Sequence, residues 1–228
     1  MIKFHPHHTE LVSFAEGTLS CASSLIVSAH CDMCETCDIK VHELTELTAE
    51  SALSNDVDVE FLTRDYISMF ESITRDKTLV DNNIVSVAPQ SILVDGRNLN
   101  VPETLTRISS KVGEWSHLVG KLWQAPIEIR SSALVQLVYM EKGGSVPEHT
   151  HKGNEISLVL NGQFQDGNNS YSSGDYVALD QSHTHMPVAN SEDGCLVLTV
   201  LDKPLHFTTG WAKLINPLSQ IYFNSKIN

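Results

Sequence analysis

The 228-residue chain has no apolar run long enough to cross a bilayer, which excludes a transmembrane helix. Its first residues, MIKFHPHHTE, contain no apolar stretch of the kind that directs export, so the expected location is the cytoplasm. Positive charge is scarce: Lys and Arg number 15 against 28 Asp and Glu, for a formal charge of −13. With no basic footprint to neutralise phosphates, direct binding to nucleic acid is excluded. There is no internal repeat and no low-complexity tract. Hydrophobic residues at 41% and charged residues at 19% support a packed core and rule out global disorder. Cysteines are few and odd in number, five in all, which does not read as a disulfide framework.

What the chain does have is clustered metal-binding chemistry. The 11 histidines fall in groups: His5, His7 and His8; His30; His149 and His151; His183 and His185. Imidazole is the commonest protein metal ligand, so clustering of this kind is first a metal hypothesis. Cys31, Cys34 and Cys37 form a tight group, while Cys21 and Cys195 stand alone.

The sequence divides into two unlike parts. Up to about residue 75 it reads as helical, with apolar stripes at Leu11, Phe14 and Ala15; at Ala22, Leu25, Ile26 and Ala29; at Val41, Leu44 and Leu47; and at Val59, Leu62, Tyr66, Met69 and Ile73. Asp56 or Asp58 can cap the fourth helix, and small polar residues at 48–55 can set it apart from the others. Residues 76–100 are polar and punctuated by Pro89 and Gly96, which reads as a linker holding one short strand. From about residue 125, short runs such as Ala133 to Met140, Ile156 to Leu160, Tyr176 to Leu179 and Cys195 to Leu201 alternate with GG, NG, DGNN and SSGD turns. Many short strands at close spacing mean a sandwich or barrel. The expected division is 1–85 helical, 86–102 linker and 103–228 β-barrel.

His30, Cys34 and Cys37 are each one helical turn from the next, so all three can face one point near a helix corner. Soft and borderline donors in this pattern suit zinc, and a structural site needs a fourth ligand from His5, His7, His8, Cys31 or His42. The plainer readings are a Cys-x-x-Cys redox pair or unligated core thiols. A thioredoxin-type pair normally follows a strand in a βαβ unit, and none is visible. The arrangement resembles the zinc-containing domain of ChrR-type anti-sigma factors. In that family a histidine precedes the H-x-x-x-C-x-x-C histidine by 25 residues, which here selects His5. The resemblance therefore implies a four-helix domain whose zinc is held by His5, His30, Cys34 and Cys37.

The second constellation lies in the β half. His149 and His151, at i and i+2, share one face of a strand; Glu155 follows four residues after His151, and His185 lies eleven residues after Gly174. Three imidazoles and a carboxylate suit zinc or another divalent transition metal. These residues match the two-part motif of the cupin family: H-x-H-x-x-x-E leads to Gly162 without a gap. The second part has Asp180 where many cupins have Pro and Ser182 where many have Gly. His183 is a rival to His185, and the family spacing favours His185. Blander roles fall to His42 and His117 as surface or cap groups, to Cys195 as a core residue, and to Trp115, Trp123 and Trp211 as packing residues. His206 is unassigned.

A zinc anti-sigma motif followed by a cupin is the ChrR layout. The resemblance implies a protein that sequesters an extracytoplasmic-function sigma factor, in a 1:1 complex, and releases it under singlet-oxygen-type stress, with the cupin half as sensor. Two other readings compete with it. One is a cupin metalloenzyme, dioxygenase-like, with a zinc-bound helical accessory domain. The other is a plain redox switch through Cys31, Cys34 and Cys37. No general base beyond the ligands and no cofactor motif are visible, so no catalytic residue is assigned.

Overall fold

The structure is a computed structural model and describes residues 1–54, 64–75, 91–94, 96–118 and 120–227. An extended N-terminal segment leads into α1 (His8–Ala15), α2 (Cys21–Cys31) and α3 (Glu35–Leu53). His7 caps α1, and its own N–H donates to Glu10 Oε2 at 3.0 Å in a capping box. Ser20 caps α2 through a bond from the Ser23 N–H. α4 (Arg64–Arg75) carries Tyr66, Met69, Phe70 and Ile73 on one stripe, all at least half exposed. Val59, Leu62, Asp56 and Asp58 lie outside the described residues. No helix among the described residues is long and apolar enough to cross a membrane.

The stretch expected to be a linker with one strand contains two, β1 (Ser91–Val94) and β2 (Arg97–Asn100), paired as a hairpin. Val94, Leu99 and Val101 are buried, so this segment is part of the core. A short helix, α5 (Glu103–Arg107), follows and packs on α2.

The β half comprises β3 (Ser116–His117), β4 (Leu122–Pro126), β5 (Leu134–Met140), β6 (His149–His151), β7 (Glu155–Gln165), β8 (Ser170–Ser172), β9 (Tyr176–Leu179), β10 (Thr184–His185), β11 (Val188–Ala189), β12 (Cys195–Leu201) and β13 (Leu205–Phe207), ahead of a C-terminal helix, α6 (Asn216–Ile227). One antiparallel sheet runs β11-β7-β12-β5-β4-β3, with β8 and β9 also on β7; a smaller one runs β10-β6-β13. At Gly162 in β7 the backbone has φ +77°, and a Cβ there would strike the Gly194 carbonyl, so only glycine fits that strand position.

All seven residues of β12 are buried because both faces of the large sheet are covered. Leu137, Tyr139, Leu158, Leu160, Leu196 and Leu198 on its outer face join Ala22, Ile26, Val27 and Ala29 of α2 in one buried cluster. Burial of each large aliphatic side chain contributes about 1.5–3 kcal/mol. The helices and the barrel thus share a core. Cys195, as expected, is a fully buried strand residue, and Trp115 and Trp123 pack against the same core; Trp211 is instead more than half exposed.

Candidate metal centres

The N-terminal segment is strapped to the barrel. The Asp175 carboxylate is fully buried and accepts from the backbone N–H of Lys3 (2.7 Å), Phe4 (3.1 Å) and Ser172 (2.8 Å). The Tyr176 N–H donates to the Phe4 carbonyl at 3.0 Å, and the Tyr176 hydroxyl to Glu10 at 2.9 Å. Burial pushes the Asp175 carboxyl up, but these bonds outweigh it and hold it below the usual carboxylate range. The strap delivers His5 to the α2–α3 corner.

There His5 Nδ1 stands 3.4 Å from both Cys34 Sγ and Cys37 Sγ. His30, fully buried at the end of α2, donates from Nδ1 to the Gly174 carbonyl at 2.9 Å. That bond leaves the His30 Nε2 lone pair facing the cluster with no hydrogen-bond partner. The four donor atoms lie within 4.8 Å of one another, against an edge of about 3.6 Å for a tetrahedral zinc site with mixed N and S ligands. Burial moves His30 down to about 4, and burial with the nearby Cys34 moves Cys37 up to about 12. Neutral imidazoles and crowded thiols are what a divalent cation relieves, since a coordinated thiol is deprotonated outright. Of the rivals for the fourth position, His7 is occupied as the α1 cap, and His8, Cys31 and His42 are outside the set.

The second centre is built by strand pairing. His149 and His151 project to the same side of β6, and His185 of β10 is the direct cross-strand partner of His149. His185 Nε2 lies 3.0 Å from His149 Nε2 and 3.3 Å from His151 Nε2. Glu155, at the start of β7, places Oε2 3.3 Å from His151 Nδ1 without hydrogen-bond alignment. His149 Nδ1 donates to the Pro147 carbonyl at 2.8 Å, and Ser157 Oγ donates to Glu155 Oε1 at 2.8 Å. Burial lowers all three histidines to about 4 and raises Glu155 to about 7. Three uncharged imidazoles turned onto one point, with a buried carboxyl beside them, can hold a metal ion. His183 is exposed and hydrogen-bonded to Asp180 at 2.8 Å, away from this group.

Comparison with known proteins bears on both centres. Residues 104–204 match the family described as the ChrR cupin-like domain. The anti-sigma-E factor ChrR of Cereibacter sphaeroides is 30% identical over 96% of this chain and 99% of its own length. This chain belongs to the ChrR family of anti-sigma factors. The crystal structure of Rhodobacter sphaeroides SigE in complex with the anti-sigma ChrR is similar too, with a TM-score of 0.67 and 26% identity, covering 89% of this chain and all of that one. The relationship carries the fold class expected from the sequence, a small helical metal-binding unit followed by a cupin β-barrel. Gly174 and Asp175 were legible only as turn residues of SSGD. Nothing in the spacing of this ChrR-family sequence signals that the Gly174 carbonyl accepts from His30 or that the Asp175 carboxylate holds the strap carrying His5.

Proposed function

We propose that this chain is an anti-sigma factor that sequesters an extracytoplasmic-function sigma factor from core RNA polymerase in a 1:1 complex. The observation that carries the reading is family membership spanning both halves of the chain, not the cupin alone. Residues 1–85 would hold the sigma-binding unit, 86–102 the connection and 103–228 the barrel. The helical centre takes zinc through His5, His30, Cys34 and Cys37. Bound there, zinc supplies a cross-link between the N-terminal strap and the α2–α3 corner, which a small helical unit needs for rigidity.

The exposed stripe of α4, together with Leu47 and Leu53 on the far half of α3, offers apolar area without an internal partner among the described residues. A net charge of −13 steers such a surface toward the basic faces of a sigma factor and away from DNA. The cupin set, His149, His151, Glu155 and His185, holds zinc or another divalent transition metal and serves as the sensor of singlet-oxygen-type stress. The protein works by sequestration, in the cytoplasm, and not by turnover.

Co-expression of the tagged full chain with each extracytoplasmic-function sigma factor of the same genome tests this. The expected result is one retained sigma at 1:1, with about one zinc in the four-ligand helical site. No retained sigma on a folded, metal-loaded chain would remove the reading. Replacing His149 and His151 by alanine is expected to block induction while sigma is still retained; normal induction in that variant would remove the cupin-sensor role.

A further inference from the structure

Beside the cupin centre the barrel widens into a cavity of about 720 Å³ beneath the C-terminal helix. Its walls are mostly apolar: Leu134, Leu201, Phe207, Trp211 and Phe223 are among them. Volumes of 300–1,000 Å³ are those of pockets that enclose a small organic molecule. Nearer the histidines lies a smaller void of about 60 Å³ lined by His149, Glu155 and His185. Gln136, Val138 and Val146 line both spaces, so the two adjoin.

Buried polar atoms with no partner line the two spaces: Thr199 the small void, Tyr222 the large cavity and Gln136 both. Gln136 Oε1 and Thr199 Oγ1 are buried without a hydrogen bond, and each residue is only 7% exposed. Gln136 and Thr199 are cross-strand partners on β5 and β12, and Thr199 is in turn partnered with Ser157 on β7. Ser157 bonds the ligand-set residue Glu155. A polar row therefore crosses an otherwise apolar inner face and ends at the metal centre; the next row along is Val138, Val197 and Val159. On the opposite wall the Tyr222 hydroxyl is also buried without a partner. Buried polar groups are almost always paired, so unpaired Gln136 and Tyr222 on the large cavity, with Thr199 on the void beside it, call for an occupant with a polar end.

We propose that this cavity is a binding site for one amphipathic small molecule, an acyl-chain-sized apolar body ending in a hydroxyl or carboxyl group. The head lies on Gln136 and Thr199: the amide oxygen accepts from an O–H, and the threonine hydroxyl donates to the head-group oxygen. The body fills the space against Leu201, Phe207 and Phe223, with α6 as its roof. The site stands on this geometry alone; its use in releasing sigma rests on the sensor reading above.

The test is calorimetric titration of the full chain with decanoic acid and, separately, 1-decanol. Saturable 1:1 binding is expected, and whichever probe binds tighter identifies the head group. Gln136→Met removes an acceptor that bonds nothing in the free chain. It is expected to keep or raise the melting temperature while weakening binding about tenfold. Val138→Trp fills the throat and is expected to abolish binding. No saturable binding of either probe overturns the proposal, as does affinity unchanged by Gln136→Met. A dimer that dissociates on Leu218→Asp, with no probe bound, would place a second copy at the cavity mouth and also overturn it. Sigma retention measured without probe reads the anti-sigma function separately, so failure of one leaves the other distinguishable.

Discussion

Asp175 joins the two halves of the molecule at a single carboxylate. Its bonds to the Lys3, Phe4 and Ser172 N–H groups are charge-assisted and buried, so Asp175→Asn is expected to cost about 1–3 kcal/mol in urea unfolding at neutral pH. The pH dependence has a definite sign. A carboxyl whose folded value is depressed contributes stability above its unfolded value of 3.8 and loses it as pH falls through the folded value. The gap between wild type and Asp175→Asn should therefore close as pH is lowered below 3.8. A gap of constant size across that range would show that the carboxylate charge contributes nothing. Gly174, next to it, has φ +92°, and a Cβ there would strike the Ile2 side chain. Gly174→Ala is for that reason expected to lift the N-terminal strap as well as strain the turn.

Helix α4 is the element whose pattern most exceeds its own needs. Tyr66, Met69, Phe70 and Ile73 recur at helical spacing, yet all are exposed. A helix with an apolar stripe that no described residue covers is marginal in water, and a partner surface would stabilise it. Met69→Glu combined with Ile73→Glu is expected to weaken sigma retention at least tenfold. Zinc content and the melting temperature should stay unchanged, because neither side chain is in the buried core. Retention at wild-type level in that variant would place the sigma contact elsewhere, with the far half of α3 the next surface to change. β12 is the contrasting element. Its continuous CLVLTVL run lacks polar alternation because helices cover one face of the sheet and the barrel interior lies on the other.

At the scale of the whole molecule, the first candidate metal centre lies where helices meet barrel. His30 binds the Gly174 carbonyl, and the strap carrying His5 hangs on Asp175. Loss of metal at the helical centre should consequently be felt in the barrel. Cys34→Ser is expected to reduce amide-exchange protection in Tyr176–Leu179 as well as in α2. Protection lost from the helices alone would mean that the two halves are energetically independent despite their shared core.

The types of donor and their spacing were determined by the sequence, because a helix turn and a strand pleat translate directly into residue intervals. That is why H-x-x-x-C-x-x-C and H-x-H-x-x-x-E were legible, as were the helical and β halves. Tertiary structure decided what intervals cannot encode. It placed His5 beside Cys34 and Cys37 while using His7 as a helix cap, and it set His185 opposite His149 through strand register. It also drew residues 91–101 into the core and closed a cavity between β5, β12 and α6. Those outcomes depend on contacts between residues far apart in the chain, where sequence spacing carries no geometric information.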